Sequence, residues 1–184
     1  VSSAGDVNGD GVSDLLIGNR FADPNGNSDA GESHVVFGGP GVGLSGVLEL
    51  SSVNGKNGFV INGIDADDES GASVSSAGDV NGDGVADLLI GAPDADPNGN
   101  WIAGESYVVF GGPDVGSSGA LELSSLNGVN GFVIIGIDAF DRSGWLVSSA
   151  GDVNGDGVAD LLIGAPAADP NGNKDAGESY VIFG

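Results

Sequence analysis

The chain has 184 residues, 36 of them glycine, and a formal charge of −23 from four basic against 27 acidic side chains. That balance excludes a nucleic-acid partner held by phosphate contacts and argues against docking on an anionic membrane surface. A hydrophobic content of 40% is too high for a solvated coil, so something must neutralise the carboxylates, and a divalent cation is the simplest candidate. With no cysteine, neither disulfides nor thiol chemistry are available. No apolar stretch approaches the length of a membrane span. A chain that opens at Val1 reads as a processed product or an excised piece.

Taken in chain order, the sequence is a repeat. The unit from Val1 to Gly38 returns at Val74 to Gly111 and again at Val147 to Gly184, a period of 73 residues. The linking segments Gly39 to Ser73 and Gly112 to Leu146 also match each other. The expected division is repeat 1 over 1–73, repeat 2 over 74–146 and a partial repeat 3 over 147–184.

One period predicts four strands: Ser73 to Asp79, Asp87 to Pro93, Glu105 to Gly111 and Gly131 to Ile137. The second and fourth are short, apolar and β-branched, and Gly or Pro bounds them. The third places Ser106, Val108 and Phe110 on one face, with Tyr107 and Val109 on the other. A sheet apolar on both faces must lie between neighbouring sheets, which is the condition of a propeller blade. The expected class is all-β, with blades of four antiparallel strands and about two and three-quarter blades in the chain. The stretch Leu121 to Gly131 reads as loop or an extra short strand, with a brief helical turn less favoured.

The loop between the first two strands carries the chemistry. In "DVNGDGVAD", Asp79, Asn81 and Asp83 occupy alternate positions 1, 3 and 5, and Gly84 allows a sharp bend. The Val85 carbonyl at position 7 and Asp87 at position 9 can complete an oxygen shell. Six or seven hard oxygens suit Ca²⁺, whereas softer metals want His or Cys. A lone Asp-Gly pair is usually only a polar turn. This pattern recurs intact as Asp6, Asn8, Asp10, Val12 and Asp14, and as Asp152, Asn154, Asp156, Val158 and Asp160. One Ca²⁺ per repeat, three in all, is the expectation. An EF-hand would need an acid at position 12, where Ile17, Ile90 and Ile163 stand. Dockerin modules share "DVNGDG" but carry Asn at 9 and Asp at 12, so they fit poorly.

The order "SVSSAGDVNGDGVADLLIGAP…GESYVVFG" resembles the FG-GAP repeat of integrin-α-type β-propellers, over essentially the whole chain. The resemblance implies calcium ligands at the positions just named. Two departures stand out: the first copy has Gly18-Asn19-Arg20 in place of "GAP", and the period is long, with the excess in Gly112 to Asn130.

Other candidates are weaker. "DPNGNSD" at Asp23 to Asp29 and "DPNGNKD" at Asp169 to Asp175 could form a second oxygen-rich loop, but the middle copy places Trp101 and Ile102 there. A turn is the favoured reading. Phe140, Trp145 and Leu146 also break the repeat symmetry, as interface anchors or as repacked core. His34 stands where Tyr107 and Tyr180 stand, and reads as packed or solvated. No nucleophile with a paired base is evident, so no enzymatic activity is expected. The expected function is a calcium-stabilised extracellular scaffold for adhesion or protein interaction. The alternatives are a ligand-free spacer of a large surface protein and an accessory domain of a secreted enzyme. A protein or glycan ligand is the candidate partner, and self-association could close a propeller ring.

Overall fold

The computed structural model describes residues 1–184. It is all-β, with three sheets and only single 3₁₀ turns between strands. The first sheet runs β1 (Ser2–Gly5), β2 (Asp14–Asn19), β3 (Glu32–Val36) and β4 (Gly58–Asn62) as an antiparallel meander. The second holds β5 (Ser73–Gly78), β6 (Asp87–Ala92) and β7 (Glu105–Val109), and β9 (Gly131–Ile135) closes it as its outer strand. The third has three strands, β10 (Leu146–Gly151), β11 (Asp160–Ala165) and β12 (Glu178–Ile182). These are propeller blades in an open arc.

One strand departs from the four-per-blade expectation. β8 (Ala120–Glu122) leaves the second repeat and pairs in parallel with β4 of the first blade, with Ala120 opposite Val60 and Leu121 opposite Ile61. A 3₁₀ turn over Leu123–Ser125 follows directly, so this stretch supplies both an extra strand and a helical turn. The first blade therefore has five strands.

The two-sided strands make the core. Leu16, Val35, Phe59 and Ile61 of the first blade meet Leu88, Ile90, Tyr107 and Val109 of the second in one buried cluster. Leu89 and Val108 turn the opposite way and meet Val147, Leu161 and Ile163 of the third. Every residue of β6 is buried, because it is the middle strand of the middle blade. In the outer blades one face of the same pattern opens. Leu15 is 46% exposed where its counterpart Leu88 is fully buried, and Leu162 is 40% exposed where Leu89 is fully buried.

The "LIGAP" glycine has a packing reason. A Cβ on Gly91 would lie 2.0 Å from the Gly144 carbonyl oxygen, at the point where the second blade touches the third. The two backbones bond there, Gly144 N–H donating to the Gly164 carbonyl, as Gly71 N–H donates to that of Gly91. Gly91→Ala is expected to force the blades apart and lower stability by about 2 kcal/mol, read from the urea midpoint. An unchanged midpoint would show that the junction yields freely.

Candidate metal centre

Each acidic loop is entered through a β-bulge at the end of the first strand. The pairing shifts between Ser76 and Gly78, and Gly78 adopts φ +79°, a conformation that glycine reaches without a Cβ penalty. Both flanking repeats have the same shift. The bulge turns the chain sharply so that the loop curls over its own backbone.

Within the second loop Asp79 binds the backbone that follows it. Its Oδ1 accepts from Gly82 N–H at 2.7 Å and Asp83 N–H at 3.0 Å, and its Oδ2 accepts from Gly84 N–H at 2.8 Å. The Asn81 Oδ1 accepts from Asp83 N–H, and the Asp83 Oδ1 accepts from Val85 N–H, both at 2.9 Å. Asp152, Asn154 and Asp156 repeat the pattern in the third loop, and Asp6, Asn8 and Asp10 repeat it in the first without the bond from the glycine at position 4. Val12, Val85 and Val158 follow at the seventh position of each loop, with Val12 40% exposed and the other two half-buried.

The ninth position differs in kind. Asp87 is fully buried beneath the loop, where Oδ2 accepts from Val80 N–H at 2.9 Å and Oδ1 from Gly111 N–H at 2.8 Å. Asp14 is held likewise by Val7 and Gly38, and Asp160 by Val153 and Gly184. The glycine of each Phe-Gly pair is thus part of the site. Sequence reasoning missed it, although Phe37-Gly38, Phe110-Gly111 and Phe183-Gly184 recur with the same period.

Burial pushes the Asp87 carboxyl up to about 6, against the lowering effect of its two N–H donors, and Asp83 and Asp79 add to the rise. Asp14 moves the same way for the same leading reason. None of the chain's ion pairs involves a loop carboxylate. No three acidic or His side chains converge into a closed metal cage. Each loop instead gathers like charge around one buried carboxylate and leaves it without a cation, and its donor set is entirely hard oxygen. That chemistry fits Ca²⁺.

Consecutive loops are also stitched together. Ala86 N–H donates to the Asp6 carbonyl at 3.3 Å, Gly112 N–H to the Val7 carbonyl at 2.8 Å, and Ala159 N–H to the Asp79 carbonyl at 2.9 Å. The state of one loop therefore bears on the next blade.

The "DPNGN" segments are turns of one geometry in all three copies. Asp23, Asp96 and Asp169 each accept, through Oδ1, the N–H of the residue six further on, namely Asp29, Ile102 and Asp175. The turn survives Trp101 and Ile102, so it needs no acid at its far end. The core-repacking reading does not hold for the aromatics: Trp101 is 66% exposed and Phe140 58% exposed. A backbone bond joins the two residues, Phe140 N–H donating to the Trp101 carbonyl at 2.8 Å. Arg142 reaches over the Trp145 ring at 5.2 Å. His34 Nε2 sits 3.6 Å from Glu32 Oε2, and its Nδ1 is buried without a hydrogen-bond partner.

At this end, between the first two blades, Asp65, Asp68, Asp96, Glu105 and Tyr107 line a cleft of about 420 Å³. Burial raises the Asp68 carboxyl to about 7, opposed by the Asp65 N–H and aided by Asp65, Glu105 and Asp96. The folded state therefore holds a proton that the unfolded chain gives up near its ordinary value of 3.8. Stability falls as pH rises through that window. In chelator, about 2 kcal/mol is expected to be lost between about pH 4 and about pH 7, a loss to which the raised Asp87 and Asp14 carboxyls also contribute, and Asp68→Asn is expected to reduce that slope. An unaltered slope in the variant would clear Asp68 of the effect.

A family model described as FG-GAP repeat matches residues 1–36, 70–109 and 143–182. The chain belongs to the FG-GAP repeat family. Each FG-GAP match contains one acidic loop and the three strands that frame it. Among curated FG-GAP relatives, the chain is 31% identical to human phosphatidylinositol-glycan-specific phospholipase D over 176 residues, 95% of this chain and 19% of that protein. It is 33% identical to the bovine protein of the same name over 175 residues, with the same coverage. It is 30% identical to integrin alpha pat-2 of Caenorhabditis elegans over 185 residues, all of this chain and 13% of that protein. The chain thus spans less than a fifth of the length of these relatives. No helix of the FG-GAP chain is long and apolar enough to cross a membrane.

Proposed function

We propose that the chain is a calcium-stabilised FG-GAP propeller segment that serves outside the cell as a protein-interaction scaffold. The observation that carries this reading is the buried Asp87 carboxylate, with Asp79 and Asp83 beside it and no cationic side chain in reach. A Ca²⁺ held by Asp79, Asn81, Asp83, the Val85 carbonyl and Asp87 would offset that charge and tie the first strand of the blade to the second. Asp6, Asn8, Asp10, Val12 and Asp14 would hold a second ion, and Asp152, Asn154, Asp156, Val158 and Asp160 a third. Sites in extracellular modules have calcium affinities on the order of 10⁻⁴–10⁻³ M, so they fill outside cells and empty within.

The exposed pair Trp101 and Phe140 favours recognition over a ligand-free spacer, since both break an otherwise polar repeat at one end of the blades. Integrin relatives are in keeping with an adhesive role, through a protein or glycan ligand. The likeness to two phospholipases D favours a second reading, an accessory domain of a secreted enzyme. The open faces at Leu15 and Leu162 are the two halves of an internal blade junction, so a further FG-GAP blade fits each, and self-association could close a ring.

A thermal melt in calcium, in magnesium and in chelator tests the metal reading. Calcium is expected to raise the midpoint, and magnesium, which demands a tighter octahedron, to leave it near the chelator value. Three coincident curves would contradict the reading.

A further inference from the structure

An asparagine followed by glycine has a side-chain amide open to attack by its own main chain, because glycine puts no Cβ beside the attacking nitrogen. The chain holds eleven such pairs, and the fold treats them unequally. Two conditions must meet for the reaction. The asparagine side chain must arch forward over the glycine nitrogen, and that nitrogen must be free to give up its proton.

Most pairs fail the second condition. In the three "DPNGN" turns, Gly26, Gly99 and Gly172 N–H donate to the carbonyls of Asp23, Asp96 and Asp169 at 3.2, 3.1 and 3.0 Å. Gly55, Gly63 and Gly128 N–H also donate to main-chain carbonyls, each at 2.8 Å. In the second and third acidic loops, Gly82 and Gly155 N–H are held by the Asp79 and Asp152 carboxylates at 2.7 and 2.6 Å. A negative group that accepts the N–H opposes loss of its proton, since the resulting anion would face it. Asn57 and Asn130 fail the first condition. Each turns its amide backward, Nδ2 donating to the Ser52 or Ser125 carbonyl and Oδ1 accepting from Asn54 or Asn127 N–H.

Asn8 meets both. Its Oδ1 accepts from Asp10 N–H at 2.9 Å, so the side chain arches over Gly9. Gly9 is exposed and its N–H has no acceptor, because the Asp6 carboxylate is engaged by Asp10 and Gly11 instead. The packing around the two loops is otherwise alike. A Cβ on Gly9 would meet Val85 of the second blade at 3.8 Å, as one on Gly82 would meet Val158 of the third at 4.0 Å. The Asp10 N–H also faces the amide oxygen on which charge gathers during attack, which favours the reaction.

We propose that Asn8 is a self-modification site, the asparagine of the folded chain that converts fastest to aspartate and isoaspartate. The Gly9 nitrogen loses its proton to a solvent base and bonds to the Asn8 Cγ. The Cγ–Nδ2 bond breaks, ammonia leaves, and a five-membered succinimide remains. Water then opens the ring at either carbonyl, giving aspartate or an isoaspartate with an extra methylene in the main chain. Nothing is oxidised or reduced. The product adds a carboxylate to the loop that already gathers Asp6, Asp10 and Asp14, and the isoaspartate also disturbs the main chain that Asp6 binds. The modification thus singles out the first of three near-identical loops. It does not depend on any loop holding an ion.

Peptide mapping by mass spectrometry, after incubation of the folded chain in mildly alkaline chelator buffer, tests this. Asn8 is expected to convert about tenfold faster than Asn81 or Asn154, a factor that one hydrogen bond to a charged group readily supplies. In urea the preference is expected to vanish, since it belongs to the fold. Asp79→Ala, which frees Gly82 N–H, is expected to raise conversion at Asn81 and leave Asn154 unchanged. Three results would overturn the proposal: another Asn-Gly pair of the folded chain that converts first, a preference for Asn8 that persists in urea, or a rate at Asn81 indifferent to Asp79→Ala.

Discussion

Asp87→Ala is expected to be among the most damaging single substitutions in the chain, at about 4 kcal/mol in chelator. The cost has nothing to do with a metal. The Val80 and Gly111 N–H groups both lose their acceptor where Asp87 is fully buried and Val80 nearly so, and each unpaired buried donor costs about 1–3 kcal/mol. The removed charge gives some stability back, because the Asp87 carboxyl is already pushed toward neutrality by burial. The Asp160→Ala change removes the same pair of bonds, from Val153 and Gly184, but Val153 is 56% exposed where its counterpart Val80 is 7% exposed. Water can replace the acceptor there, so about 2 kcal/mol is expected. Urea unfolding of both variants in chelator makes the comparison. Equal losses would mean that the buried setting of the middle loop does not matter.

The second large effect is that of calcium. Three sites with affinities of that order, at about 1 mM Ca²⁺, would together add roughly 1–4 kcal/mol to the native state. The gain should divide by loop. Asp6→Ala, Asp79→Ala and Asp152→Ala each remove one first-position carboxylate, and each is expected to cut the calcium-dependent part by about a third. A calcium gain that survives all three substitutions would place the ion elsewhere.

Much of this was legible before the structure. The buried strands could be read from "DLLIGA" and "ESYVV" because a central blade demands apolar residues on both faces, and β6 has no exposed residue. The loops stood out because carboxylates at positions 1, 5 and 9 of one tight loop are costly without a purpose. β8 was harder. Its residues Ala120, Leu121 and Glu122 match Val47, Leu48 and Glu49, yet only the later copy is a strand. No local pattern separates them; the difference is a neighbouring blade edge. The part played by Gly111 was hidden for a related reason, since its N–H reaches Asp87 across 24 positions of sequence. Exposure at Trp101 and Phe140 was likewise undecided by sequence, where a large apolar side chain serves core and surface equally well.

The central claim is that each acidic loop is a calcium site. A calorimetric titration of the chelator-stripped chain with Ca²⁺ tests it most directly, because it counts ions as well as detecting them. The account predicts three ions per chain, falling to two in Asp79→Ala, with magnesium failing to compete at equal concentration. Absence of binding at millimolar calcium, or a count that Asp79→Ala leaves unchanged, would contradict it.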